Sequence, residues 1–247
     1  MRNIYLAFKF SLSYFSRLPI SFEKEDDLSQ KSILSGMLLF LPLVGLILGG
    51  IVSLLFGLLS SLSWYGATVA SVGYMMLYGF IHTEAVIDLF DAIYAAHAGK
   101  DPYKVIKEPT VGAIGVLYGV SFLILKLSGM VWLFTHGIMV EFVAVVVISR
   151  LSLLILILFH DFNSSFLTQL KEALEYRDLL LLFALFGIVG TIVSLYFIPL
   201  LIVGVILSFL LSIYFASKLN FVNGDLLGAT LEGVEILLFL LIGILMV

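Results

Sequence analysis

Residues 33–59 read "ILSGMLLFLPLVGLILGGIVSLLFGLL" and carry no charged side chain. A helix crosses the roughly 30 Å hydrocarbon core of a bilayer with about 20 apolar residues, so this run is long enough to span. Similar runs recur along the chain, which is 62% hydrophobic and 12% charged, with mean hydropathy +1.17. A soluble domain carries about 25% charged residues, which excludes that class. The runs are continuous and do not alternate, which argues against a β-barrel. The expected fold class is all-α: a polytopic integral membrane bundle of about seven transmembrane helices.

The expected spans are 33–59, 64–92, 111–133, 138–159, 179–197, 199–217 and 226–246. They leave no room for a soluble domain, so residues 1–247 read as one membrane domain with a cytoplasmic or interfacial segment at 1–32. In that segment Ile4, Phe8, Leu12 and Phe15 recur at helical spacing, with Arg2, Lys9 and Arg17 between them. This pattern suits a helix lying on the bilayer surface. Phe166, Leu167, Leu170 and Leu174 form a second such stripe within 160–178. No cleavable signal sequence is read at the N-terminus. The chain has no cysteine, which removes disulfides and thiolate metal sites, and its net charge of −4 is too mild to imply a nucleic-acid partner.

Basic residues fall on alternate connections. Arg2, Lys9, Arg17, Lys24 and Lys31 precede the first span; Lys100, Lys104 and Lys107 follow the second; Lys171 and Arg177 follow the fourth; Lys218 precedes the last. The connections between have none. By the positive-inside rule the N-terminus is expected in the cytoplasm and the C-terminus outside.

The second run ends in "GFIHTEAVIDLFDAIYAAHAGKD", residues 79–101. Glu84, Asp88 and Asp91 stand at i, i+4 and i+7, within roughly a 60° arc of one helix face. Clustered carboxylates near lipid are costly unless compensated. A divalent cation compensates them, and oxygen-only ligands suit Mg²⁺ or Mn²⁺. A hydrated acidic helix end is the plainer alternative. Lys100, Lys104 and Lys107 follow, as phosphate ligands or as ordinary topology signals. Gly112 and Gly115 then open the third span, where glycine permits helix packing or the approach of a ligand to backbone N–H groups. The last span opens "NGDLLGATLEGVE", with Asp225 at its mouth and Glu232 and Glu235 deeper. Intramembrane acids are functional candidates, and Lys126 and Arg150 are the bases available to neutralise them.

These motifs resemble the cobalamin synthase (adenosylcobinamide-GDP ribazoletransferase) family. Its hallmark has the form G-x-x-H-x-D-G-x-x-D-x-x-D-G. Gly79, His82, Asp88 and Asp91 match, while Glu84 stands for Asp and Ala85 and Ala92 stand for Gly. "FSRLPI", "FLPLVGLILGG", "IKEPTVGAIG" and "NGDLLGATLEGVE" resemble further family segments in the same order, across residues 15–235. In the third of these Lys107, Gly112 and Gly115 match and Glu108 replaces Asp.

The resemblance implies a membrane transferase acting in the last steps of cobalamin biosynthesis. It would join adenosylcobinamide-GDP to α-ribazole, or to α-ribazole 5′-phosphate, with Mg²⁺ and release of GMP. It also implies a multi-pass protein of the bacterial inner membrane with its active site toward the cytoplasm. Homo-oligomers are left open. On this reading Glu84, Asp88 and Asp91 bind metal, and Asp225 and His82 are the candidate bases. Lys100, Lys104, Lys107, Glu108, Gly112, Gly115, Arg150 and Glu232 serve the substrates and their phosphates. Two rivals are a CDP-alcohol phosphotransferase and a cation- or proton-coupled transporter. The first lacks its usual Arg and aspartate spacing here. The second usually shows matched halves, which this chain does not display.

Overall fold

The computed structural model describes residues 2–246 and is all-helical across them. In chain order the helices are α1 (Arg2–Phe15), α2 (Lys31–Leu39), α3 (Leu41–Leu59), α4 (Trp64–Leu77), α5 (Ile81–His97), α6 (Pro102–Val105), α7 (Ala113–Thr135), α8 (Met139–Phe159), α9 (Ser165–Ala173), α10 (Tyr176–Val193), α11 (Phe197–Leu219) and α12 (Gly224–Leu245). One 3₁₀ turn, Ser60–Leu62, extends α3. Six of these helices (α3, α7, α8, α10, α11 and α12) are long and apolar enough to cross a membrane.

The count differs from the expected seven because the second run is broken. α4 ends at Leu77 and α5 begins at Ile81, with Gly79 at φ 68° and Phe80 at φ 55° between them. A left-handed conformation at a bulky residue such as Phe80 costs on the order of 1–2 kcal/mol. Local bonds hold it. The Gly79 N–H donates to Met76 O at 3.0 Å and the Phe80 N–H to Met75 O at 3.1 Å, closing the end of α4. From outside, the Arg17 N–H donates to Leu77 O at 2.7 Å. The first run is also divided, at Phe40, where Pro42 can offer no N–H to the preceding turn.

α8 and α12 form the buried heart of the bundle, and α3, α4, α5, α7 and α11 surround them. α5 is wedged between α7 and α12. α10 stands at the edge, packing Leu179, Leu182, Phe183 and Phe186 on the bundle and exposing Leu181, Leu185, Ile188 and Ile192 as a lipid-facing helix would. The N-terminal stripe folds as expected: α1 buries Leu6, Ala7, Leu12 and Phe15 and leaves Ile4 and Tyr5 outside. It lies so close to α2 that a Cβ on Gly36 would come within 2.6 Å of the Ala7 Cβ. α9 supplies the second surface helix, with Leu170 and Ala173 turned inward.

Candidate active site

On α5 the three acids share one side, with Glu84 exposed and Asp88 and Asp91 half-buried. Their carboxylates nevertheless have different partners. Asp91 Oδ2 accepts the Gly112 N–H at 2.5 Å, and its Oδ1 accepts the Gly115 N–H at 2.7 Å. The first N–H groups of a helix have no partner of their own and sit at the positive end of its dipole. Asp91 therefore caps α7 from the neighbouring helix. A Cβ on Gly112 or Gly115 would overlap this carboxylate, so glycine is required at both positions. Gly112 and Gly115, expected beside substrate phosphate, here meet the chain's own carboxylate, and Asp91, expected among the metal ligands, contacts the start of α7.

Asp88 instead faces acids on both sides: Asp225 and Glu84 lie near enough for their charges to act on it. Asp225 sits in the first turn of α12. Asn223 caps that helix by accepting the Leu226 N–H at 3.0 Å, and its amide donates to Asp225 Oδ2 at 2.7 Å. One oxygen of Asp225 is thereby fixed. α5 and α12 approach closely here, since a Cβ on Gly228 would lie 2.7 Å from the Ala85 Cβ. The small pair at this crossing is Ala85 with Gly228, which accounts for the space that Ala85 needs.

Among the described residues no three His, Asp or Glu side chains converge tightly enough to enclose a metal. Glu84, Asp88 and Asp91 are thus not a preformed cage. The donor chemistry of Asp88, Glu84 and Asp225 still fits Mg²⁺, an ion usually held by one or two carboxylates plus substrate phosphates and water.

Two cavities meet at Asp225. One, about 520 Å³, is polar and is lined by Tyr103, Lys107, Asn163, Ser164, Gly224 and Asp225, among others. The other, about 160 Å³, is mostly apolar and includes His82. Gly224 and Asp225 line both. Lys107 Nζ donates to the Tyr103 hydroxyl at 2.7 Å and lies 3.9 Å from that ring's centre, which aims its charge along the polar cleft. Lys100 and Lys104 are exposed and line neither cavity. Glu108 is exposed beside Thr110, whose hydroxyl lies 3.5 Å from it. Tyr14 of α1 reaches the smaller cavity; partial burial, and then the charge of Asp225, push its phenol up.

Arg150 and Glu232 are not at the site. They belong to a buried network that joins α4, α5, α7, α8 and α12. Lys126 Nζ lies 2.5 Å from Glu232 and 2.7 Å from Glu235, and Arg150 Nη1 lies 2.7 Å from Glu235. Tyr74 and Ser149 donate to Glu235, and Tyr78 and Thr83 to Glu232. Two acids and two bases cancel, so no net charge is left in the bundle. Gly45 on α3 makes the room, since a Cβ there would lie 2.5 Å from Arg150 Cδ. Arg150 and Glu232, expected to serve the substrates, lie in this network with both side chains almost wholly enclosed.

Sequence reasoning missed Tyr74, Tyr78 and Thr83 in this network, and Tyr14, Asn163 and Asn223 around the cavities. The one available signal was Tyr74 and Tyr78 at i, i+4 in an apolar run, a spacing that places both hydroxyls on one helix face.

The chain is 28% identical over 256 residues to an adenosylcobinamide-GDP ribazoletransferase of Clostridium perfringens (strain ATCC 13124), covering 99% of this chain and 100% of that one. It is 27% identical over 250 residues to a protein of the same name from Ralstonia pickettii, covering 96% and 95%. A third of that name, from Carboxydothermus hydrogenoformans, is 30% identical over 127 residues, covering 49% and 47%. No solved structure matches the chain. The family model described as cobalamin-5-phosphate synthase matches residues 7–243, and the chain belongs to that family.

Proposed function

We propose that this protein is a membrane transferase that joins adenosylcobinamide-GDP to α-ribazole, or to α-ribazole 5′-phosphate, and releases GMP. The observation that carries the reading is the position of Asp225. In a chain of this family it stands where a polar cleft with Lys107 meets an apolar cavity with His82, and it faces the acids of α5.

A ribose hydroxyl of the acceptor attacks the phosphorus that carries the aminopropanol arm of the corrinoid. The new P–O bond forms as the bond from that phosphorus to the GMP oxygen breaks, and GMP leaves with the electron pair. Asp225, one oxygen held by Asn223, takes the hydroxyl proton on the other. A carboxylate in hydrogen-bond reach contributes typically 10²–10⁴-fold as a general base. Lys107 neutralises charge on the departing phosphate across the polar cleft. Asp88 and Glu84 would hold Mg²⁺, which when bound supplies neutralisation of the diphosphate.

The connections that carry Lys100, Lys104, Lys107 and Lys171 lie at the same end of the bundle as the polar cleft. The positive-inside rule then puts that cleft toward the cytoplasm of the bacterial inner membrane. The test is direct. Purified protein in detergent, with Mg²⁺, adenosylcobinamide-GDP and α-ribazole, releases GMP in step with formation of the joined corrinoid. Absence of turnover where the Clostridium perfringens relative is active would overturn the reading.

A further inference from the structure

The smaller cavity is not required by the chemistry just described. Beyond Asp225 and Gly224 its walls are largely aliphatic and aromatic, with Phe15 from α1, Leu153 and Ile157 from α8, and Leu170 from α9. At about 160 Å³ it is far too small for a macrocycle or a guanine nucleotide. An apolar cavity of about 150 Å³ accepts a benzene-sized ring, so this one has the dimensions for one or two fused flat rings.

Besides Asp225, two polar side chains line this space, Tyr14 with its phenol and His82 with its imidazole. His82 is only 6% exposed, lines the cavity and finds no hydrogen-bond partner for its ring among the described residues. The ring is held in place by stacking on Tyr78, with centroids 5.3 Å apart. A ligand nitrogen or hydroxyl in the cavity would give this imidazole a hydrogen-bond partner. Buried apolar walls with one or two fixed polar groups are the usual make-up of a small-molecule pocket. The cavity shares Gly224 and Asp225 with the cleft that holds Lys107.

We propose that this cavity seats the flat heteroaromatic base of the acceptor nucleoside, with His82 hydrogen-bonded to it and its ribose directed at Asp225. The corrinoid then stays outside, and its diphosphate arm enters through the polar cleft. The two substrates then meet at Asp225, which lines both spaces. This assignment rests on the reaction proposed above and adds a location to it.

Two variants and one label test it. Leu167→Trp adds bulk from the half-buried edge of surface helix α9, and His82→Phe removes the polar anchor while keeping an aromatic ring. Each should raise KM for α-ribazole by about tenfold or more and leave KM for adenosylcobinamide-GDP within about twofold. His82→Gln, which keeps a donor and an acceptor, should bind α-ribazole better than His82→Phe. Equal shifts in both KM values, or a shift for the corrinoid alone, overturn the assignment. A photoreactive benzimidazole gives a readout that needs neither turnover nor a variant. In the wild-type protein it should label the segments 81–85, 153–157 or 167–170, in competition with α-ribazole. Labelling confined to other segments overturns the assignment. Labelling at these segments without any turnover would preserve the pocket while removing the reaction reading.

Discussion

Tyr78 donates its hydroxyl to Glu232 at 2.6 Å, and Thr83 donates to the same oxygen at 3.2 Å. The two donors stand on opposite sides of the α4–α5 break, so one carboxylate on α12 ties the two helices together across it. This contact fixes how α5 leaves α4, and therefore where its acids point. Removing Glu232 leaves Lys126 and Arg150, two buried cations, to share the single carboxylate of Glu235. Breaking one partner of a buried pair costs about 3–5 kcal/mol. Glu232→Ala should therefore lower the thermal unfolding midpoint in detergent sharply. Tyr78→Phe should cost only about 1 kcal/mol. Replacing Lys126 and Glu232 together by methionine should be milder than Glu232→Ala alone, and a double variant at least as unstable as the single one would show that the charges are not paired as described.

Asp91 is expected to behave as a fastener of helices. Asp91→Ala leaves the Gly112 and Gly115 N–H groups unpaired, at a cost of about 0.5–2 kcal/mol for a lost cap. Hydrogen exchange across 112–116 should speed up. Gly115→Ala should reproduce the defect with Asp91 intact, because its Cβ would displace that carboxylate.

Asp225→Asn keeps shape and the contact with Asn223 but removes the proton acceptor. Its kcat should fall by about 10²–10⁴-fold with KM values little changed. Asp88→Asn should instead raise the Mg²⁺ concentration needed for half-maximal rate. A Mg²⁺ requirement unchanged in Asp88→Asn and in Glu84→Gln would remove these residues as metal ligands.

Orientation can be read without altering any native thiol, since the chain contains no cysteine. Lys104→Cys should react with an impermeant maleimide only from the cytoplasmic side, and Ser61→Cys only from the outside. Both positions are exposed. The reverse pattern would invert the topology.

The helical class and most of the spans were legible because hydrocarbon thickness imposes a length on any apolar run. The α4–α5 break was hidden. Nothing in "YMMLYGFIHTE" announces that Phe80 takes a left-handed conformation, which is held by local bonds to Met75 and Met76 and flanked by tertiary bonds from Arg17 to Leu77 and from Tyr78 and Thr83 to Glu232. The arc of acids was legible from spacing alone. Their division of labour was not, because spacing gives direction around a helix and says nothing of which N–H groups a neighbouring helix presents. Arg150 and Glu232 looked functional for a sound reason, the expense of charge in lipid, and each other's company through Lys126 and Glu235 removes that expense.

The two bonds from Asp91 to the start of α7 have a mechanical corollary. They tie residues 91 and 112 together at the base of the segment that carries the lysines. That segment is a leash with both ends anchored on the bundle. At no more than about 3.6 Å per residue, the Lys107 backbone stays within about 18 Å of Gly112 however the segment flexes. Tyr103 also fastens the segment midway, its hydroxyl donating to Asn163 O at 3.3 Å and its ring lying against Phe221, so Lys107 is held at the polar cleft from three points.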